Sequence, residues 1–128
     1  MKTLLFKNCV HNTKPIDIPG EEKPRAINLT VRKGLKWSDV KVGEIVEIQR
    51  TDDPPPEGAP CVYAEIYDVK VMVFKDLINY NKMLELEHDP DCRNFPGLYK
   101  TMRKVYDGFL QHELVTLVLY EIIQETPG

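Results

Sequence analysis

The sequence predicts an α+β fold, with a small curled sheet of about five to six strands covered by two helices. Three observations carry this. In Ile27–Arg32, Ile27, Leu29 and Val31 alternate with Asn28, Thr30 and Arg32, the period of a strand with one apolar and one polar face. Residues Glu113–Ile123 are β-branched and apolar on both faces, which suits a central strand. Between Leu98 and Leu110, Leu98, Met102, Val105, Phe109 and Leu110 form one helical face, with Lys100, Arg103, Lys104 and Asp107 elsewhere.

The remaining elements follow in chain order. Thr3–Phe6 reads as a short strand. Residues 11–24, with three prolines and a glycine, read as a loop. Lys33-Gly34 breaks the strand at 27–32, and a turn at Gly43 leads into a strand at Ile45–Gln49. Residues 51–60 (Thr-Asp-Asp-Pro-Pro-Pro-Glu-Gly-Ala-Pro) form neither helix nor central strand, because proline fixes its backbone and lacks a donor. Cys61–Phe74 is β-rich, with a bend near Asp68 expected to split it in two. Lys75–His88 reads as a helix on the spacing of Leu77, Tyr80 and Leu84, stopped by Pro90.

Composition narrows the class. The chain has 128 residues, 42% apolar and 29% charged, which fits one globular domain over residues 1–128 and argues against overall disorder. Neither a signal peptide nor a spanning segment is visible, so a cytoplasmic protein with no membrane partner is expected, a monomer by default. Cys9, Cys61 and Cys92 are scattered and no His pair has ligand spacing, so neither a disulfide framework, a metal site nor a cofactor is expected. The net charge of −3 argues against a generic nucleic-acid binder, yet six basic residues and one acid lie between Lys23 and Lys41. Such a segment is either a binding face or a solvated loop.

Several pieces in order resemble the ASCH family of PUA-like domains: Leu4-Leu5-Phe6, the Thr30-Val31-Arg32 strand ending, and Val40-Lys41-Val42-Gly43-Glu44-Ile45-Val46. The strand Ile66–Val73 running into Phe74-Lys75-Asp76-Leu77 follows, then the late amphipathic helix before Leu114-Val115-Thr116-Leu117-Val118. The resemblance spans about residues 3–122. It implies a small mixed β-barrel with covering helices, a cleft between them, and RNA or a modified nucleoside as ligand. Some members are acetylcytidine amidohydrolases that use a Lys, a Thr and a Glu. Here the Thr falls on Thr30 and the Glu on Glu85 or Glu87; the Lys position falls on Ile27, a departure from the family pattern.

Each candidate group carries two readings. Asn28, Thr30 and Arg32 line a cleft, with Arg32 for phosphate or a carbonyl oxygen and the others for base edges, or they are a solvated strand face. Lys33, Lys36 and Trp37 suit single-stranded nucleic acid, or Trp37 anchors its loop to the barrel. Glu85, Glu87, His88 and Asp89 supply a general base or hold a substrate amine, or they are a solvated helix end. Lys100, Arg103 and Lys104 extend a phosphate surface or are solvation. The first expectation is a binding module for RNA or a nucleoside-like ligand, with Thr30 and Glu85 at the base, Arg32, Lys33 and Lys36 at phosphate, and Asn28, Trp37 and Glu87 among the lining residues. The alternatives are a small hydrolase using Glu85 and Thr30, and a protein-interaction module using the proline loop 52–60.

Overall fold

The computed structural model describes residues 2–6, 10–12, 14–50 and 61–126; the proline segment and Cys9 lie outside the described residues. Five strands form one mixed sheet: β1 (Thr3–Phe6), β2 (Ile27–Lys33), β3 (Ile45–Arg50), β4 (Cys61–Val73) and β5 (Leu114–Thr126), in the order β1-β3-β4-β5-β2. β1 pairs parallel with β3, and the other three pairings are antiparallel. The central place expected for the last strand holds: β5 lies between β4 and β2, and residues 115–120 are all buried.

The sheet curls without closing. No ladder among the described residues joins β1 to β2, but Arg32 Nη2 donates to the carbonyl oxygen of Leu5 at 2.8 Å, so the two sheet edges approach each other. The outer edge of β2 is occupied by residues 86–88. Leu29 N donates to Leu86 O at 2.8 Å and His88 N to Leu29 O at 3.0 Å. Beyond that segment, Val10 N donates to His88 O at 2.8 Å. The backbone groups of an edge strand that would otherwise be left open are thus paired.

Two apolar cores follow from the two faces of β2 and β5. Ile27, Leu29 and Val31 pack with Phe74, Leu77, Leu84, Leu98 and Met102 on the helix side. Leu4, Phe6, Val46, Ile48, Val118 and Tyr120 fill the inside of the curl. Asn28 stands opposite Tyr120 and Thr30 opposite Val118, so both point into the curl. The polar face of β2 is therefore not solvated: Asn28 is 0% and Thr30 1% exposed.

The helical parts depart most from the periodicity. The expected helix over Lys75–His88 is a 3-10 helix at Phe74–Asn79 followed by α1, four residues at Asn81–Leu84. After that the chain extends, because Pro90 disfavours helical backbone at the residue before it, and Asp89 sits at φ −96°, ψ 117°. The second helix, α2, runs Phe95–Val105 rather than Leu98–Leu110. Asn94 caps it by accepting from Gly97 N at 2.8 Å, and Pro96 fits the first turn, where a missing N–H costs nothing. Gly97 is required there, since a Cβ would collide with the Asp91 carbonyl oxygen. The helix ends before Gly108, at φ +70°. β4 is one strand, and the bend expected near Asp68 is a register shift between Ile66 and Asp68 that bulges the strand without cutting it. No helix among the described residues is long and apolar enough to cross a membrane.

Candidate functional site

The gap between β1 and β2, roofed by α2, encloses a cavity of about 240 Å³. Its wall is assembled from four places. Leu5 and Phe6 come from β1, and Thr30 and Arg32 from β2. Glu87, His88 and Asp89 come from the extended stretch after α1, and Thr101, Val105 and Tyr106 from α2 and its end.

Arg32 is held on three sides. Its Nε donates to Thr30 Oγ1 at 3.0 Å, its Nη2 to Leu5 O, and its guanidinium lies 5.1 Å from the centre of the Phe6 ring. Thr30 thus accepts from a cation, which leaves its hydroxyl hydrogen for another partner.

Glu87 is the most unusual group. It is 2% exposed, and its Oε1 lies 2.9 Å from His88 Nε2. Its Oε2 and the Nδ1 of His88 are buried with no hydrogen-bond partner among the described residues. A buried acceptor left alone costs about 1–3 kcal/mol, so such atoms call for an explanation. Burial pushes the Glu87 carboxyl above its ordinary range, while the bond and charge of His88 pull it back, with a weaker pull from the Asp89 amide. The backbone here is pinned: Arg93 Nε donates to Glu87 O at 2.9 Å and its Nη2 to Val10 O at 3.1 Å. The His88 ring rests on Phe6, with centroids 4.2 Å apart.

Cys92 also faces the cavity. It is 3% exposed, and burial, with the charges of Glu87 and Asp89, pushes its thiol up to about 12 against a weaker pull from Thr101. A thiol of that kind stays protonated at neutral pH and is a poor nucleophile.

The structure brings together three of the expected residues, Thr30, Arg32 and Glu87. Glu85 is exposed and off the cavity wall: it sits at the end of α1 in helical backbone (φ −61°, ψ −18°), and the turn that follows brings Glu87, three residues after buried Leu84, to the inside. Asn28 is a clasp rather than a ligand group: its Oδ1 accepts from Asn12 N at 2.6 Å and its Nδ2 donates to Asn12 O at 3.1 Å. Lys33 lies at the margin, 3.4 Å from Glu113 and 5.9 Å from the Tyr106 ring centre. Lys36 is exposed and off the wall. Trp37 packs, half-buried, against the inner core, as an anchor does. Ile27, at the family Lys position, is 2% exposed in the helix-side core, the face of β2 opposite Thr30. Lys100, Arg103 and Lys104 line a shallow outer groove of α2, away from the cavity.

Spacing placed His88 in a candidate cluster with Glu85, Glu87 and Asp89, but did not single out Phe6 or Tyr106 for this cavity. Pro90 was the available signal for an extended residue just before it; spacing offered none for Glu87 over Glu85. No family model matches the chain, and no solved structure matches it.

Proposed function

We propose that this chain is an ASCH-type binding module, its curled sheet a PUA-like barrel, and that the cavity between β2 and α2 receives the base of a nucleoside-like ligand. One observation carries the reading: Glu87, which lines the cavity with Thr30 and Arg32, has a buried carboxylate oxygen, Oε2, without a partner among the described residues. A ligand N–H placed on it removes the cost of the lone acceptor. Size supports a single ring over a strand of RNA, since about 240 Å³ is below the roughly 300–1,000 Å³ of drug-sized sites. Charge agrees. Of the basic residues expected at phosphate, Arg32 is tied to Thr30 and Leu5, Lys33 to Glu113, and Lys36 lies off the wall.

The test is a calorimetric titration with a panel of nucleosides and with short single-stranded RNA, at low and moderate salt. Base recognition predicts saturable nucleoside binding that is nearly independent of salt and is lost in Glu87→Gln. RNA binding that falls steeply with salt, with no nucleoside binding, would replace this reading by a phosphate-dominated one.

The same carboxyl favours a second reading, a small hydrolase on a modified nucleoside. A buried acid with a raised pKa exchanges protons closer to neutral pH, as a general base must. In that reading Glu87 rather than Glu85 is the base. With Ile27 on the other face, the charge near a developing anion is that of Arg32, fixed in the cavity wall by Thr30 and Leu5. Product analysis after prolonged incubation separates the two: conversion abolished by Glu87→Gln and Thr30→Ala supports the hydrolase, and unchanged ligand excludes it for the compounds tested.

A further inference from the structure

We propose that His88 is the positioning residue of this site: it holds Oε1 of Glu87 so that Oε2 is kept as the open acceptor of the cavity. The importance of that acceptor rests on the function proposed above; the positioning itself does not.

Three features support it. First, the bond is short: His88 Nε2 lies 2.9 Å from Oε1, the oxygen that also takes the Asp89 amide, while Oε2 has no partner among the described residues. A carboxylate fastened at one oxygen has its other oxygen set in direction, which is what a preorganised acceptor needs. Secondly, the imidazole is itself fixed. Its backbone N–H and carbonyl bond to Leu29 and Val10, and its ring lies on Phe6, which also contacts His11 at 5.6 Å and Tyr120 at 5.8 Å between centroids. Thirdly, an Nε2–H donated to Glu87 leaves Nδ1 as the ring's bare acceptor in the neutral form, and that atom is the one found buried and unpartnered. A histidine kept only for packing would not need its proton on one particular nitrogen.

The charged neighbours that face the pair are Asp89 on the same stretch, Cys92 and Arg93 on the following turn, and Arg32 over the shared Phe6 ring; His11 lies beyond that ring. Arg93 is committed to carbonyl oxygens, and burial keeps Cys92 protonated, so His88 is the group placed to decide how Glu87 holds its proton.

The experiment is NMR titration of the protein without ligand, reading the carbon-13 shift of the Glu87 carboxyl and the nitrogen-15 shifts of the His88 ring. In the wild type, the nitrogen shifts of the neutral ring are expected to show Nε2 protonated and Nδ1 bare. In His88→Phe, which keeps a ring but cannot donate, the Glu87 midpoint should rise by about one to three pH units, the usual effect of losing a close donor or charge. His88→Gln restores a donor near the Nε2 position, and its midpoint should fall between the two. A Glu87 midpoint unchanged in His88→Phe, or a proton found on Nδ1 in the wild type, overturns the proposal. If His88→Phe does not fold, the wild-type nitrogen shifts and the His88→Gln midpoint decide it alone. None of these readings changes if nucleosides fail to bind, so the two proposals fail separately.

Discussion

Two ionic clusters in this molecule are built on opposite plans. On the outer surface, Arg25 lies within 3.9 Å of Glu21, 4.0 Å of Glu65 and 3.4 Å of Glu121, and 4.9 Å from the Tyr67 ring centre. The spare oxygen of Glu121 takes the Ala26 N–H at 3.2 Å, and Tyr67 donates to Glu21 at 3.2 Å. The side chains of its ion pairs are 22–37% exposed, so water completes what protein does not. The Glu87–His88 pair has side chains 3% and 11% exposed, and each member has one atom with no partner among the described residues. The first cluster has more partners than it needs and fastens a loop to a sheet. The second is short of partners while its side chains are almost wholly buried, and the fold keeps it at a cost. Incomplete satisfaction under burial, rather than charge density, marks the site.

That contrast can be broken at several points. The largest effect is expected from Phe6→Ala. This ring is 1% exposed and supports His88, Arg32 and Tyr120, so its loss should cost about 3–5 kcal/mol in denaturant unfolding. A cost below about 1 kcal/mol would mean the aromatic bed does not hold the site. Next is Asn28→Ala, which leaves the Asn12 N–H and carbonyl without their partner and should cost about 2 kcal/mol in the same assay.

Glu87→Gln is expected to act on the pH profile rather than on the fold. Because the folded-state pKa is raised, the native protein holds this proton more tightly than the unfolded chain does. Its contribution is present in full below the unfolded value of 4.5 and is lost as pH rises through the folded value. Wild-type stability should therefore decline across that window, with a slope of at most about 1.4 kcal/mol per pH unit, and the variant should lack that component. At neutral pH the variant should match the wild type within about 1 kcal/mol or exceed it, because an amide there strands no buried charge. A loss of several kcal/mol would make the pair a fastening like the outer cluster. The smallest effect belongs to Arg25→Ala, at about 1 kcal/mol or less and shrinking with salt.

How much of this was legible in the sequence differs by element. β2 and β5 were, because period-two alternation and a β-branched run on both faces are local signals that tertiary packing did not overrule. The start of α2 was missed by three residues, since Asn94 and Pro96 signal a helix start that the apolar face, beginning at Leu98, does not show. The burial of Asn28 and Thr30 was not readable from β2 alone: a polar strand face looks solvated until a curl in the sheet brings Leu5, Phe6 and Asn12 over it. The choice of Glu87 over Glu85 turned on pairing with Leu29, a contact between residues far apart in the chain, although Pro90 already argued that the helix had ended. Trp37 shows the reverse lesson: a lone tryptophan beside lysines suggests stacking on a base, and it is a packing anchor.

The cavity wall draws on residues 5–6, 30–32, 87–92 and 101–106, stretches that meet only in the folded chain. An unfolded chain therefore offers no version of the site, and whatever fills the cavity binds the native state alone. By thermodynamic linkage such a compound stabilises the protein by about 2.7 kcal/mol at a hundredfold excess over its Kd. For a chain of this length that raises the melting temperature by on the order of 10 °C. Thermal melting of the wild type beside Glu87→Gln thus becomes a search instrument: a compound that raises the first melting point and not the second has met Oε2 of Glu87.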